Sequence, residues 1–406
     1  MDVIEKATFS QVLAVPVYRT VFLTRAIAIG ADTLRTVALS VLVFTATGSA
    51  LLGALAFGVS FLPQVVGGLV IGALPDLIRP RPLIVTGYAL EAAGATLLAI
   101  GGMPVWASLL LVAGIGCLAP VFNGTAGRLT ADVLSGDAFV VGRGLFQLAS
   151  SAAQIIGMAG GGLAVAFMGP ETALLVTAGC HVVAALWAWL ALPDLPAPGR
   201  QSERSLVRQS FHGARVLLVE PVVRRLLFAN WLPPALVIGG ESLLIPYAAL
   251  EGFPDGAAGL VLACIPAGMF VGNLVVTRAL APRTRERAVP LLVALLGLPL
   301  VAFAFDLNAV TAGVLMAFLG AGFAFGVGLQ GRFRDALPDD STGQAFGLLS
   351  TGLMTFQGVG PLVFGGLTEV VPVGVAMALA GGATLVSAAW IALAVRPAEA
   401  KSPVPA

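Results

Sequence analysis

The stretch Pro193–Val222, PDLPAPGRQSERSLVRQSFHGARVLLVEPV, is the longest polar run in the 406-residue chain, and it divides the rest in two. It opens with Pro193, Pro196 and Pro198, then carries Arg200, Glu203, Arg204, Arg208 and Arg215. Leu206, Phe211, Ala214, Leu217 and Leu218 recur among these arginines at roughly helical spacing. The stretch reads as a linker with an amphipathic helix on a membrane surface, or as a solvated loop. Outward from it, in both directions, the chain is almost wholly apolar. Breaks at charges, prolines and glycines divide it into 18–44, 50–74, 83–101, 104–129, 141–168 and 172–192 before the linker. After it come 223–249, 257–280, 288–305, 309–331, 343–368 and 373–395. Each is close to the ~20 residues that a helix needs to cross hydrocarbon.

Composition supports lipid as the solvent. Hydrophobic residues make up 58% of the chain and charged residues 11%, with a mean hydropathy of +0.97. So few charges cannot coat a water-soluble surface of this size. The net charge of +1 and the absence of any basic-aromatic surface argue against a nucleic-acid partner. Cys117, Cys180 and Cys264 are scattered without paired spacing, so neither a disulfide frame nor a metal knuckle is expected. With His181 and His212 the only histidines, no metal site is expected, and no cofactor. Met1 to Ser10 has no apolar stretch, so helix 1 itself is expected to direct insertion.

The basic residues set an orientation. Lys6, Arg79, Arg81, Arg128, Arg143, the linker arginines, Arg278, Arg283, Arg285, Arg287, Arg332, Arg334, Arg396 and Lys401 all fall on one side of the twelve spans. The loops on the other side hold Glu171, Glu251, Asp255, Asp306 and Glu369 and no Lys or Arg. By the positive-inside rule both termini are expected in the cytoplasm.

The halves also repeat. A shift of 203 residues aligns Asp132 with Asp335, Leu134 with Leu337, Asp137 with Asp340, Gly144 with Gly347, Gln154 with Gln357 and Gly157 with Gly360. Helices 4–5 therefore correspond to helices 10–11. The expected fold is all-α and integral to the membrane, with twelve transmembrane helices in two six-helix pseudo-symmetric bundles. Residues 1–192 form the first, 193–222 the linker, and 223–406 the second with a short tail. Parallel six-helix repeats are the mark of a two-bundle transporter with a central site.

The loop between helices 2 and 3 carries a more specific pattern: Gly72, Asp76 four residues later, then Arg79 and Arg81. It resembles the loop motif of the major facilitator superfamily, although Leu77 and Pro80 stand where that motif is usually basic. In physical terms the glycine permits close approach, and the aspartate and arginines can form a latch between conformations. The plain alternative is a loop that obeys the charge rule. The corresponding Gly272–Arg287 region keeps Arg278, Arg283 and Arg285 but lacks the aspartate. In helix 1, Gly30-Ala-Asp-Thr-Leu-Arg-Thr-Val-Ala-Leu39, followed by Thr47, Gly48 and Ser49, resembles the bacterial exporter group that includes macrolide efflux pumps and a siderophore exporter. The resemblance implies the major facilitator fold and proton-coupled drug export.

Five charged candidates stand well inside the predicted spans: Arg25, Asp32, Arg35, Glu91 and Glu241. Each is costly in lipid and needs a partner or a purpose. Asp32 and Arg35 are three apart and share a helix face, with Arg25 near it. Three acids face two arginines, so one carboxyl lacks a full partner and could carry a proton. Asp32 on helix 1 and Glu241 on helix 7, its counterpart in the second half, are the leading candidates. Glu91 is the third, and the resemblance turns its helix outward, toward headgroups or a neighbouring helix. For Asp32, simple pairing with Arg35 remains equally open. Asn123, Gln154, Asn230 and Gln357 are candidate cavity residues, and helix–helix hydrogen bonding is the alternative for each.

The chain has no phosphate-binding loop, because its two lysines, Lys6 and Lys401, are both terminal. The leading expectation is a monomeric secondary transporter, not an enzyme, that couples protons or another cation to efflux of a small apolar or amphipathic molecule. Proton-coupled uptake of a nutrient is the alternative. An intramembrane enzyme is remote, since no catalytic cluster is legible, and so is a non-transporting membrane protein.

Overall fold

In hydrocarbon a backbone can satisfy its own N–H and C=O groups only as helices or as a closed barrel. A computed structural model of the chain describes residues 8–71, 74–100, 102–196, 215, 217–337 and 342–394, and every regular element among them is helical. A short α1 (Phe9–Ala14) leads into α2 (Pro16–Thr47), α3 (Ala50–Gly58), α4 (Phe61–Ile71), α5 (Leu74–Leu77), α6 (Pro80–Ala99), α7 (Val105–Val133) and α8 (Gly136–Ala191). Beyond the linker come α9 (Pro221–Glu241), α10 (Leu244–Leu250), α11 (Ala257–Ala279), α12 (Pro282–Val301), α13 (Ala309–Gly322), α14 (Phe325–Asp335), α15 (Thr342–Leu367) and α16 (Val373–Ala394).

Prolines account for two of the breaks. Pro63 cannot donate to the carbonyl of Val59, and the second crossing divides there into α3 and α4. Pro246 likewise leaves the Ser242 carbonyl without its helical donor, and the seventh crossing divides into α9 and α10 beside Glu241. Pro80 and Pro282 each open a helix, as do Val105 and Ala309, close to the 203-residue offset of the repeat.

Among the described residues, eleven helices are long and apolar enough to cross a membrane. The longest accounts for the twelfth crossing. At 1.5 Å per residue, α8 would run well over twice the ~30 Å of hydrocarbon if it were straight. It is not straight, because Gly169 has φ 80° and ψ 162°, outside the helical region, and Pro170 follows. A residue with a side chain would be strained at that φ. The two arms return to one level of α2. A Cβ on Gly157 would meet the Thr33 Cβ at 2.8 Å, and the Thr177 hydroxyl donates to the Ala31 carbonyl at 3.5 Å. Helices 5 and 6 are thus a hairpin turned at a single residue.

The halves meet from mid-depth to the face opposite the linker. A Cβ on Gly58 of α3 would stand 2.9 Å from the Pro361 Cβ on α15. On the other flank, Gly162 of α8 lies against the backbone of Gly256 and Gly259 at the start of α11. Of the proposed linker helix, only Arg215 and residues 217–219 are described, and these are helical. Leu206, Phe211 and Ala214 lie outside the described residues.

Candidate functional site

Of the charges on helix 1, Arg35 is the one buried inside the first bundle. Arg35 is 7% exposed, and its guanidinium reaches two acids. One amino group lies 3.2 Å from Asp32 Oδ1, one turn back, and the other donates to Glu91 Oε2 on α6. Glu91 is itself buried, so it meets the neighbouring helix and not headgroups. The Asp32 side chain is 39% exposed and forms the open edge of the cluster.

A fourth member was not anticipated from sequence. His181, on the second arm of α8, is fully buried, and its Nε2 lies 3.4 Å from Asp32 Oδ1. Neither ring nitrogen forms a hydrogen bond. Tyr88 of α6 flanks it with ring centroids 6.3 Å apart, and the Tyr88 hydroxyl sits 3.4 Å from that of Thr24. The missed signal was a histidine at membrane depth in an apolar run, which is a functional candidate by default. Arg25 is half-buried and lines a small gap with Thr24, Tyr88 and Phe122, and no ion pair joins it to an acid among the described residues.

The ligand atoms of Asp32, Glu91 and His181 lie within 4.8 Å of one another, a spacing at which three such groups can gather about an ion. The Arg35 guanidinium bridges both carboxylates and supplies that positive charge instead, so the set fits an arginine better than a metal.

Glu241 is in a different situation. It is 7% exposed at the end of α9, and no ion pair reaches it among the described residues. Asp32 and Glu91 share Arg35, whereas Glu241 meets no cation among the described residues. One turn further on, Ile245 enters the wall of a cavity of about 310 Å³ between the halves. Val37, Val41 and Phe44 of α2, Val165 of α8 and Phe253 are among its apolar lining residues, and Asp255 also lines it.

The other sequence candidates are dispersed. Gln357 is buried, Gln154 half-buried and Asn123 exposed. Asn230 donates to the Leu226 carbonyl of its own helix at 2.8 Å, which matches the structural alternative. Gly72 and the side chain of Asp76 lie outside the described residues. Arg79 pairs with Asp194 at 3.0 Å, and Arg81 lies 5.9 Å from the Trp189 ring centroid. Trp189 lies in helix 6, and Asp194 lies just past its end, at the start of the linker.

A family model described as the Major Facilitator Superfamily matches residues 21–332. The chain belongs to the major facilitator superfamily. Solved members of the fold superpose over nearly its whole length. The nucleoside transporter NupG gives a TM-score of 0.74 at 13% identity, covering 94% of this chain and 99% of that one. A bacterial homolog of the human lysosomal transporter Spinster, in an inward-facing and unoccupied conformation, gives 0.68 at 16%, covering 93% and 94%. At such identities the likeness concerns fold alone. In sequence, the chain is 28% identical over 241 residues to the lysophospholipid transporter LplT of Serratia proteamaculans, covering 52% of this chain and 58% of that protein. It is 27% identical over 235 residues to LplT of Pectobacterium carotovorum, covering 51% and 56%. The chain spans just under three-fifths of the length of these relatives. Membership of this superfamily indicates a membrane transporter rather than an enzyme.

Proposed function

We propose that the protein is a secondary transporter that moves a small amphipathic molecule by alternating access, with protons as the coupling ion, export as the direction and both termini in the cytoplasm. The observation that carries this reading is the contrast between the apolar cavity wall and the unpaired carboxyl one turn behind it. Apolar walls suit a hydrophobic body, while sugars and carboxylates call for more polar or cationic grips. Among the described residues no cation pairs with Glu241, so it is free to exchange a proton as the halves rock. The drug and siderophore exporters suggested by helix 1 fit this description.

A second reading of the substrate has its own support. Both sequence relatives named above are lysophospholipid transporters, and a lysophospholipid is itself amphipathic. A single-chain lipid entering from the membrane would use the same apolar wall.

Proteoliposomes with a trapped pH dye test both. Hydrophobic antibiotics, siderophores and a single-chain phospholipid are added in turn across an imposed pH gradient. Substrate-dependent proton flux that disappears in Glu241→Gln is expected. A nucleoside or sugar that drives flux while every amphiphile fails would overturn the reading.

A further inference from the structure

Three groups in the first bundle are explained by mutual contact: Arg35 holds Asp32 and Glu91. His181 is not explained in this way. It is an imidazole with no exposed surface, on a transmembrane helix, and it forms no hydrogen bond at either nitrogen. Leaving buried polar atoms without partners is unfavourable, so such a group calls for a function or a partner that comes and goes.

The charges around it define that partner. From α2 it is faced by Asp32, with Arg35 behind and Arg25 further along the helix. From α6 it is faced by Glu91 and Tyr88. With a neutral imidazole, the groups in direct contact, Asp32, Glu91 and Arg35, sum to one negative charge, and Arg25 acts on Asp32 only from longer range. A proton on the imidazole brings the sum to zero. It also turns an unused nitrogen into a donor beside a carboxylate oxygen 3.4 Å away. Asp32 is the partly exposed edge of the cluster and His181 its buried end, so the pair forms a route from water inward.

We infer that Asp32 and His181 form a second proton-binding site, separate from Glu241, in which the proton enters at the Asp32 carboxylate and lodges on His181 Nε2. An N–H bond forms at the imidazole, and on release the proton returns to water by the same carboxylate. No other group is consumed. This rests on the transporter reading only for its purpose, since the site itself stands on geometry.

The chain has two histidines, which makes a direct test practical. The full-length protein is labelled with ring-¹⁵N histidine in lipid nanodiscs, and the His181 signals are assigned with His212→Gln. The ring nitrogens of His181 are expected to pass from the neutral to the doubly protonated signature as the pH is lowered across the range in which the protein stays folded. In Asp32→Asn that conversion is expected to be lost over the same range. A His181 that stays neutral throughout in the wild type overturns the assignment, whether or not Asp32→Asn folds. Conversion that persists unchanged in a folded Asp32→Asn also overturns it. Titration of His181 without proton-coupled flux for any amphiphile would retain this site and count against the transport reading instead.

Discussion

Gly162 in the first half and Gly256 in the second are so close that a Cβ on Gly162 would stand 2.6 Å from the Gly256 carbonyl oxygen. The obstacle is backbone, which cannot swing aside as a flexible side chain could. A larger residue at 162 should therefore disfavour the conformation in which these helices touch.

Gly162→Val tests this. Overpacking of this kind costs about 1–3 kcal/mol, enough to change the ratio of two conformers from roughly five-fold to over a hundred-fold. Spin labels at Thr47 and Glu251, both on the face opposite the linker, are expected to move apart in the variant. Unchanged label distances would mean that the contact does not govern this closure.

Arg35→Ala should be the most damaging single change in the first bundle. It leaves Glu91 and the buried oxygen of Asp32 without their cation. Breaking a buried ion pair from one side costs about 3–5 kcal/mol. A large drop in thermal stability in nanodiscs is expected, partly restored when Glu91→Gln is added. If Arg35→Ala melts within a degree or two of wild type, the cluster is not structurally important.

Glu241→Gln should behave in the opposite way. The amide has the shape of the carboxyl, and no ion pair is lost, so stability is expected to stay within about 0.5 kcal/mol of wild type. Proton flux is expected to fall to background. A stable variant that still couples protons at the wild-type rate would remove Glu241 from the mechanism.

The pair Arg79–Asp194 is expected to contribute little to stability, although it joins two stretches far apart in sequence. Both side chains are more than half exposed, at 61% and 52%. Such pairs typically measure about 0–1 kcal/mol and weaken in salt. A double-mutant cycle with Arg79→Ala and Asp194→Ala checks this. A coupling above about 2 kcal/mol would point to a role for this loop that the surface geometry does not suggest.

The twelve crossings are legible in the sequence because an apolar run bounded by proline, glycine or charge has one stable outcome in hydrocarbon. The Asp32–Arg35 contact is legible for the same kind of local reason, since three residues along a helix share a face. The partners of that pair are not. Glu91 reaches Arg35 across 56 residues, and His181 reaches Asp32 only because α8 doubles back at Gly169. Periodicity says which residues share a helix face, but not which helices face one another. Family likeness helps no further with Glu91, because a helix at the outside of a bundle still turns one face inward. The halves' contact surface was equally hidden, since the run Gly160–Gly162 marks close packing but does not say which helix packs there.

The single-residue reversal at Gly169 has a mechanical corollary. A hinge needs slack, and a hairpin joined by one non-helical glycine and a proline has almost none. Helices 5 and 6 must therefore travel together, and helix 1, gripped between the two arms at Gly30 to Arg35, must travel with them. In the cycle proposed above, the ion pairs of the first bundle would ride through each stroke intact, and the change between its two ends would be which compartment's water can reach Asp32.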